Sequence, residues 1–367
     1  MNPLAALQEE GQSIWYDFIS RDFIKSGEMK ALVDKGVRGM TSNPTIFEKA
    51  IAKGNAYDEQ ISDLGRAGRT TDEIATELFV TDVRNACDVM RPVFDGSNGA
   101  DGFISIEVNP RLAAHTEATI AEALQLWARI DRPNLMIKIP ATPEGMPAIR
   151  RCIADGLNIN ITLMFSLEQY RNVAEAYIAG LEDRLARGMT IRSIHSVASV
   201  FVSRIDSMVD AKLEAIGTPE ALALRGRAAL ANTKLVYAEF EKIFAGARWQ
   251  RLAAEGANIQ RPLWASTSTK NPEYSPLLYV DTLIGPNTVN TVPPETLEAI
   301  QSTLTSVKRT VDDGVEEAPR TLEQLAKVGV DMEAVMAKLI EEGVEKFEKS
   351  FDSLFEKLDE KRSALAE

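Results

Sequence analysis

The chain has 367 residues, 45% hydrophobic and 26% charged, with a formal net charge of −13. That composition fits a chain with a sizeable core rather than a disordered one, and the negative balance argues against a broad polyanion-binding face and so against nucleic acid as a partner. No apolar run approaches the ~18–20 residues of a membrane span, the N-terminus MNPLAALQEEG lacks the order of a signal peptide, and Cys87 and Cys152 stand far apart in no metal spacing, so a cytoplasmic protein with reduced thiols is expected.

Residues 3–12 read as a helix ahead of the first strand. Strand candidates then recur at IWYDFI (14–19), VRGMTSN (37–43), FISIEV (103–108), LMIKI (135–139), NINITLM (158–164), IHSVASV (194–200), LWAST (263–267) and LYVDTLI (278–284). Several are apolar nearly throughout, as strands covered on both faces are. Helical spacing separates them. Phe79, Val83, Ala86 and Met90 share one face, as do Ile120, Leu124 and Trp127, and again Tyr170, Val173, Tyr177 and Leu181. A longer helical stretch is expected over 219–245.

Eight strands alternating with helices predict an α/β fold closed as a (β/α)8 TIM barrel. The whole chain, 1–367, reads as a single domain, with a barrel core over about 14–300 and a helical C-terminal extension over about 301–367. In the extension, Val344, Phe347, Phe351, Leu354 and Leu358 keep a three-to-four spacing that predicts a helix docked on the barrel wall. A dimer or partner-helix contact is the sharper alternative, but the seam is short for a coiled coil; a monomer or homodimer is expected. DGSNGADG (95–102) leads into a strand, which puts this turn on the face opposite an active site.

The working face of such a barrel lies at the C-terminal ends of its strands. The first seven candidates each carry a polar residue near that end: Asp17, Asn43, Glu107, Lys138, Asn160 with Thr162, Ser199 and Ser266. Each has a plainer reading alone. Asp17 fits a turn cap, Asn43 a turn before Pro44, Glu107 an edge position, and Lys138 a side chain that snorkels from its strand. Taken together they describe one lysine and two carboxylates above a barrel. A neutral amine attacks carbonyls to give a Schiff base, and neighbouring carboxylates move the protons, which suits aldol chemistry through an iminium.

His115 and His195 form no metal site with any plausible partner, and no G-x-S-x-G elbow points to a serine nucleophile; chemistry carried by a Schiff-base lysine needs no metal and no organic cofactor, and none is expected. Cys152, within AIRRCIAD, reads as packing. Arg204 and Lys270 follow strand ends and suit a phosphate. Arg204 could equally pair with Asp206 or Asp210 on its own helix.

TSNPTIFEKAI (41–51), IKIPAT (137–142), NINITLMFS (158–166) and SVFVSRID (199–206) resemble the transaldolases. WASTSTKNPEYS (264–275) and DTLIGPNTVNTVP (281–293) resemble their longer bacterial subgroup. The resemblance implies transfer of a dihydroxyacetone unit between phosphorylated sugars, a step of the non-oxidative pentose phosphate pathway. The donors would be fructose 6-phosphate or sedoheptulose 7-phosphate, the acceptors erythrose 4-phosphate or glyceraldehyde 3-phosphate. It makes Lys138 the Schiff-base lysine, Asp17 the base at the C4 hydroxyl, and Glu107 the acid that works through a water held by Thr162. Asn43, Asn160 and Ser199 match positions that bind the dihydroxyacetone part. Phe201 lines the pocket and Arg204 holds the sugar phosphate. Shorter transaldolases carry an arginine two residues after the position of Ser266. Here Ser268 stands there, and Lys270 is expected to supply the second charge.

Two other readings use the same scaffold. A fructose-6-phosphate aldolase-like lyase would release free dihydroxyacetone, but such relatives are shorter and carry glutamine and tyrosine where Glu107 and Phe201 stand. A non-catalytic sugar-phosphate sensor would need no nucleophilic lysine. A fused second enzyme domain has no room in 367 residues.

Overall fold

The computed structural model describes residues 2–365. Eight parallel strands close into a barrel in sequence order. They are β1 (Gln12–Tyr16), β2 (Gly39–Thr41), β3 (Phe103–Glu107), β4 (Leu135–Pro140), β5 (Ile159–Met164), β6 (Ser196–Phe201), β7 (Arg261–Ala265) and β8 (Thr288–Val292). Pairing of β1 with β8, from Gln12 opposite Thr288 to Tyr16 opposite Val292, closes the ring. Nearly every strand residue is buried, because helices cover the outside while side chains fill the inside.

The filling explains Gly39. A Cβ there would lie 2.5 Å from the Trp15 indole, so the glycine is what lets that ring occupy the barrel interior. Below Trp15 the barrel floor is closed by Arg261. Its guanidinium donates to Asp101 Oδ1 (3.0 Å), Ser13 Oγ (2.7 Å) and the Thr288 carbonyl (2.7 Å), and Ser13 in turn donates to Asp101 Oδ2 (2.7 Å). Asp101 comes from the DGSNGADG turn, which therefore lies at the end of the barrel away from the C-terminal strand ends, as expected. Cys87 and Cys152 are buried free thiols.

Four expectations are corrected. LYVDTLI is not the eighth strand: Leu278–Asp281 is one helical turn, and Trp264 Nε1 and Gln12 Nε2 both donate to the Leu283 carbonyl that follows. A short apolar run does not distinguish a strand from a buried turn of helix. The true β8 reads as polar, TVNTV, and its buried polar side chains find internal acceptors and donors, Asn290 Nδ2 excepted. Thr288 accepts from Gln12, Asn290 from Thr267, and Thr291 bonds Thr41. The 219–245 stretch is broken into Pro219–Leu222 and Ala228–Ala245, with Gly226 left-handed between them and its N–H bound to Asp210. Leu124 is exposed, and Ala123, Leu126 and Ile130 carry the buried stripe beside Ile120.

The C-terminal helix, Met332–Ala364, is the fourth correction. It crosses the mouth of the barrel instead of lying on its wall. Most of its polar ties reach segments that follow β2 and β3. Ser350 bonds Thr45 (2.8 Å), Ser353 donates to Glu48 (2.9 Å), Lys361 pairs with Asp58 (2.7 Å) and Arg111 donates to Asp352 (3.0 Å). The predicted stripe does face inward: Phe347, Phe351, Leu354 and Leu358 are buried, with Val344 half-buried. Periodicity identified the buried face but carried no information on which part of the barrel it covers.

Two stability predictions follow from the packing. Gly39→Ala should cost about 1–3 kcal/mol by overpacking against Trp15, read as a lower urea midpoint. An unchanged midpoint would mean that the ring has room to move. His195 lies against Phe103, with centroids 5.1 Å apart, and burial pushes its pKa down from 6.5 to about 4. Between those values the unfolded chain binds a proton that the folded chain refuses, so stability should fall as pH drops from 6.5 toward 4. His195→Leu should flatten that part of the melting temperature–pH curve.

Candidate active site

The strand ends meet in one cavity under the C-terminal helix. Its walls include Asp17, Asn43, Lys138, Asn160, Thr162, Ser199, Phe201, Arg204, Ser266 and Lys270, so ten of the eleven residues expected from sequence converge there. The eleventh, Glu107, borders an adjoining recess that it shares with Lys138 and Thr162.

Lys138 points into the barrel and does not snorkel. Its side chain is 7% exposed, and its Nζ lies 2.8 Å from Glu107 Oε1, itself on a side chain 8% exposed. The contact is an ion pair without the alignment of a directed hydrogen bond, while the same Nζ donates to the Ser42 carbonyl at 3.0 Å. Adjacent pairing of β3 and β4 sets Glu107 directly opposite Lys138 in the ladder. Two side chains at matched positions of neighbouring strands lie side by side on one face, here the interior.

Asp17 follows β1, its N–H bound to the Val292 carbonyl at 2.9 Å. Its Oδ1 accepts from Thr41 Oγ1 at 2.6 Å, and Thr41 also bonds Thr291 at 2.8 Å. The turn cap considered for Asp17 belongs instead to Ser20, which accepts from the Phe23 N–H. Burial pushes the Asp17 and Glu107 carboxyls above their ordinary pKa values, and the Lys138 charge opposes the rise in both. The site thus holds two desolvated acids and one ammonium whose charges depend on one another.

Asn43 combines both readings given to it. It caps the helix Pro44–Ala52 by accepting from the Ile46 N–H, and it also lines the cavity. Across the floor, Ser199 donates to Asn160 Oδ1 (2.7 Å) and Asn160 Nδ2 donates to Ser105 (3.0 Å), so the amide orientation is fixed. Thr162 Oγ1 and Glu107 Oε2 are buried with no hydrogen-bond partner among the described residues. Two residues near the cavity hold left-handed backbone without being glycine. Leu163 (φ 53°) sits where β5 slips register against β6, and Ser266 (φ 54°) turns the chain after β7 and meets Ser203 Oγ at 3.0 Å. Strained conformations of this kind are retained where a site over-determines them.

Arg204, near the start of the helix Ser203–Ile216, pairs with neither Asp206 nor Asp210. Asp206 accepts from Tyr279 and the Ala229 N–H, and Asp210 accepts from Tyr274 and the Gly226 N–H. The guanidinium instead lies 5.0 Å from the Phe201 ring centroid and 6.0 Å from that of Phe347. Lys270 reaches the same cavity and donates to Ser268 at 2.5 Å.

Sequence reasoning missed Thr41, Ser42, Thr291, Glu295 and Phe347. Thr291 was hidden with β8. Glu295 lies in the first turn of the helix after it, and Phe347 reaches the cavity from a helix remote in sequence. Among the described residues no cluster of His, Cys, Asp and Glu could hold a metal ion, and no helix is long and apolar enough to cross a membrane.

The family model described as Transaldolase/Fructose-6-phosphate aldolase matches residues 14–358. The chain is 48% identical to the transaldolase of Mycolicibacterium smegmatis over 97% of its own length and 96% of the relative's. It is 48% identical to that of Thermobifida fusca over 99% of both, and 46% identical to that of Mycobacterium marinum over its full length and 99% of the relative's.

The coupling of the three charged groups has a direct test. Lys138→Met removes the charge that opposes the rise, so both carboxyls should titrate at higher pH than in the parent protein. Carbon-13 NMR of labelled Asp and Glu carboxyls reads this, and unchanged titration midpoints would show that the lysine does not govern them.

Proposed function

The chain belongs to the transaldolase/fructose-6-phosphate aldolase family, and we propose that Lys138 is the nucleophile by which it carries a dihydroxyacetone unit from a ketose phosphate to an aldose phosphate. It is a transferase of the transaldolase type. The observation that carries the assignment of Lys138 is its buried ion pair with Glu107, 2.8 Å away, beneath a cavity that Asp17 also enters.

The reaction then runs as a sequence of proton and electron-pair movements. The Lys138 ammonium gives a proton to the Glu107 carboxylate, 2.8 Å away, and the free amine attacks the ketone carbon of fructose 6-phosphate or sedoheptulose 7-phosphate. Glu107 moves protons as water leaves and the iminium forms. Its unpartnered Oε2 and the unpartnered hydroxyl of Thr162 are suited to hold that water between them. Asp17 takes the C4 hydroxyl proton. The C3–C4 bond breaks, its electron pair moves to the iminium, and an aldose phosphate departs. The enamine on Lys138 then attacks the aldehyde carbon of glyceraldehyde 3-phosphate or erythrose 4-phosphate, Asp17 returns its proton to the new C4 oxygen, and hydrolysis of the resulting iminium returns the amine.

The remaining roles are binding. Asn43, Asn160 and Ser199 surround the three-carbon unit, and Phe201 walls it. Arg204, Ser266 and Lys270 take the phosphate. Arg204 suits this because no carboxylate among the described residues pairs with it, so its donors stay available. Transfer is favoured over release of free dihydroxyacetone by the near full-length identity to proteins named transaldolase and by Glu107 and Phe201 at positions where the lyases differ. Buried, unpaired thiols accord with a cytoplasmic enzyme. We take it to act as a monomer or homodimer.

Borohydride added with fructose 6-phosphate should fix a three-carbon adduct on Lys138, located by peptide mass spectrometry, and Lys138→Ala should abolish both adduct and turnover. An adduct on another lysine overturns the assignment. In a coupled assay, product should depend on added erythrose 4-phosphate; dihydroxyacetone released without an acceptor would indicate the lyase instead.

A further inference from the structure

We propose that Lys346, on the C-terminal helix, contacts the sugar phosphate, so that this helix completes an anion subsite begun by Arg204 and Lys270. The proposal rests on the reading of Arg204 and Lys270 as phosphate-binding residues.

The helix passes very close to Arg204. At Gly343 an added Cβ would lie 3.0 Å from Leu163 Cδ2, so that side chain would have to give, and 3.6 Å from Arg204 Nη1, an ordinary contact that shows how near the helix backbone runs to the guanidinium. The next turn carries Lys346 and Phe347. Residues three and four positions on return to the same side of a helix. Phe347 accordingly enters the main cavity and faces the Arg204 guanidinium, while Lys346 and Arg204 together line an adjoining depression with Ser207, Met208, Leu339 and Glu342.

The ion pairs of the helix single Lys346 out. Lys338 pairs with Glu341, Lys349 with Glu345, Lys357 with Glu48 and Lys361 with Asp58. Lys346 is the remaining lysine of the helix and has no carboxylate within ion-pair distance among the described residues. Arg204 and Lys270 are in the same condition. Arg204 lines the main cavity with Lys270 and the adjoining depression with Lys346, so these three unpaired cations, in a chain of net charge −13, form an arrangement that a bound dianion stabilises. Lys346 is an exposed side chain, yet some desolvation against its neighbours, and then repulsion from Arg204, Lys270 and Lys49, push its pKa down. Glu342, one turn earlier, faces the same depression and is the competing partner. If Lys346 served only Glu342, its loss would alter stability and leave substrate affinity alone.

The test compares Lys346→Met with Lys346→Arg. The methionine variant should raise KM for fructose 6-phosphate by about tenfold, the effect of losing one charge-assisted contact, with the loss carried by KM and little of it by kcat. Its inhibition constant for inorganic phosphate should rise in parallel, and Lys346→Arg should recover most of both. Borohydride trapping of free dihydroxyacetone, which has no phosphate, should be as efficient as in the parent protein. An unchanged KM and phosphate inhibition constant in Lys346→Met overturns the assignment of Lys346 alone. Weakened trapping of dihydroxyacetone also overturns it, by showing a general disturbance of the cavity. A parent protein that neither turns over fructose 6-phosphate nor is trapped by it overturns the proposed function as well.

Discussion

A single desolvated charge organises this molecule. Lys138 lies in the middle of a buried strand, and an ammonium taken out of water is tolerated only with an anion and further acceptors beside it. Glu107 supplies the anion because β3 and β4 pair in the register that sets the two residues opposite each other, and the Ser42 carbonyl supplies a further acceptor. The register of one strand pair therefore fixes the geometry of the chemistry. The same burial that makes the pair costly pushes the neighbouring carboxyls upward, toward the range in which an acid exchanges protons readily.

The two ends of the barrel differ in what their charged groups leave available. At the floor, Arg261, Asp101 and Ser13 are bonded to one another and to backbone carbonyls, which ties the strands together there, although the Gln12 and Gln260 side-chain oxygens nearby have no partner among the described residues. At the mouth, Glu107 Oε2 and Thr162 Oγ1 lack protein partners and Arg204 faces aromatic rings in place of carboxylates. A fully satisfied network stabilises a fold but cannot bind anything further. The incomplete satisfaction at the mouth is the condition for recognising a polar substrate there.

Much of this was legible in the sequence, for a local reason. Lys138, Glu107 and Asn160 stand out because each interrupts a run of apolar neighbours, and the barrel follows from strands alternating with helices. The signals failed where polarity or contact is settled at long range. β8 escaped because Thr288, Asn290 and Thr291 find partners on Gln12, Thr267 and Thr41, far away in the chain. LYVDTLI took its place because apolar content alone does not reveal whether a segment is extended or coiled. The tail showed which of its faces is buried but not what that face covers, so Phe347 could not be assigned to the site.

The environment of Arg204 joins these strands of argument. An arginine so near two aspartates on its own helix would be expected to pair with them, yet both aspartates are occupied by tyrosine hydroxyls and backbone N–H groups. Phe201 from β6 and Phe347 from the C-terminal helix lie over the guanidinium instead, with ring centroids 5.0 and 6.0 Å from it, which spends none of its N–H donors. Contact with aromatic rings places a cation without neutralising it, whereas a carboxylate partner would have to be displaced before any anion could bind. The position of the C-terminal helix across the mouth is thereby tied to how the Arg204 charge is held. Moved to the barrel wall, the helix would still bury its apolar stripe, but Arg204 would lose one of the two rings that hold it.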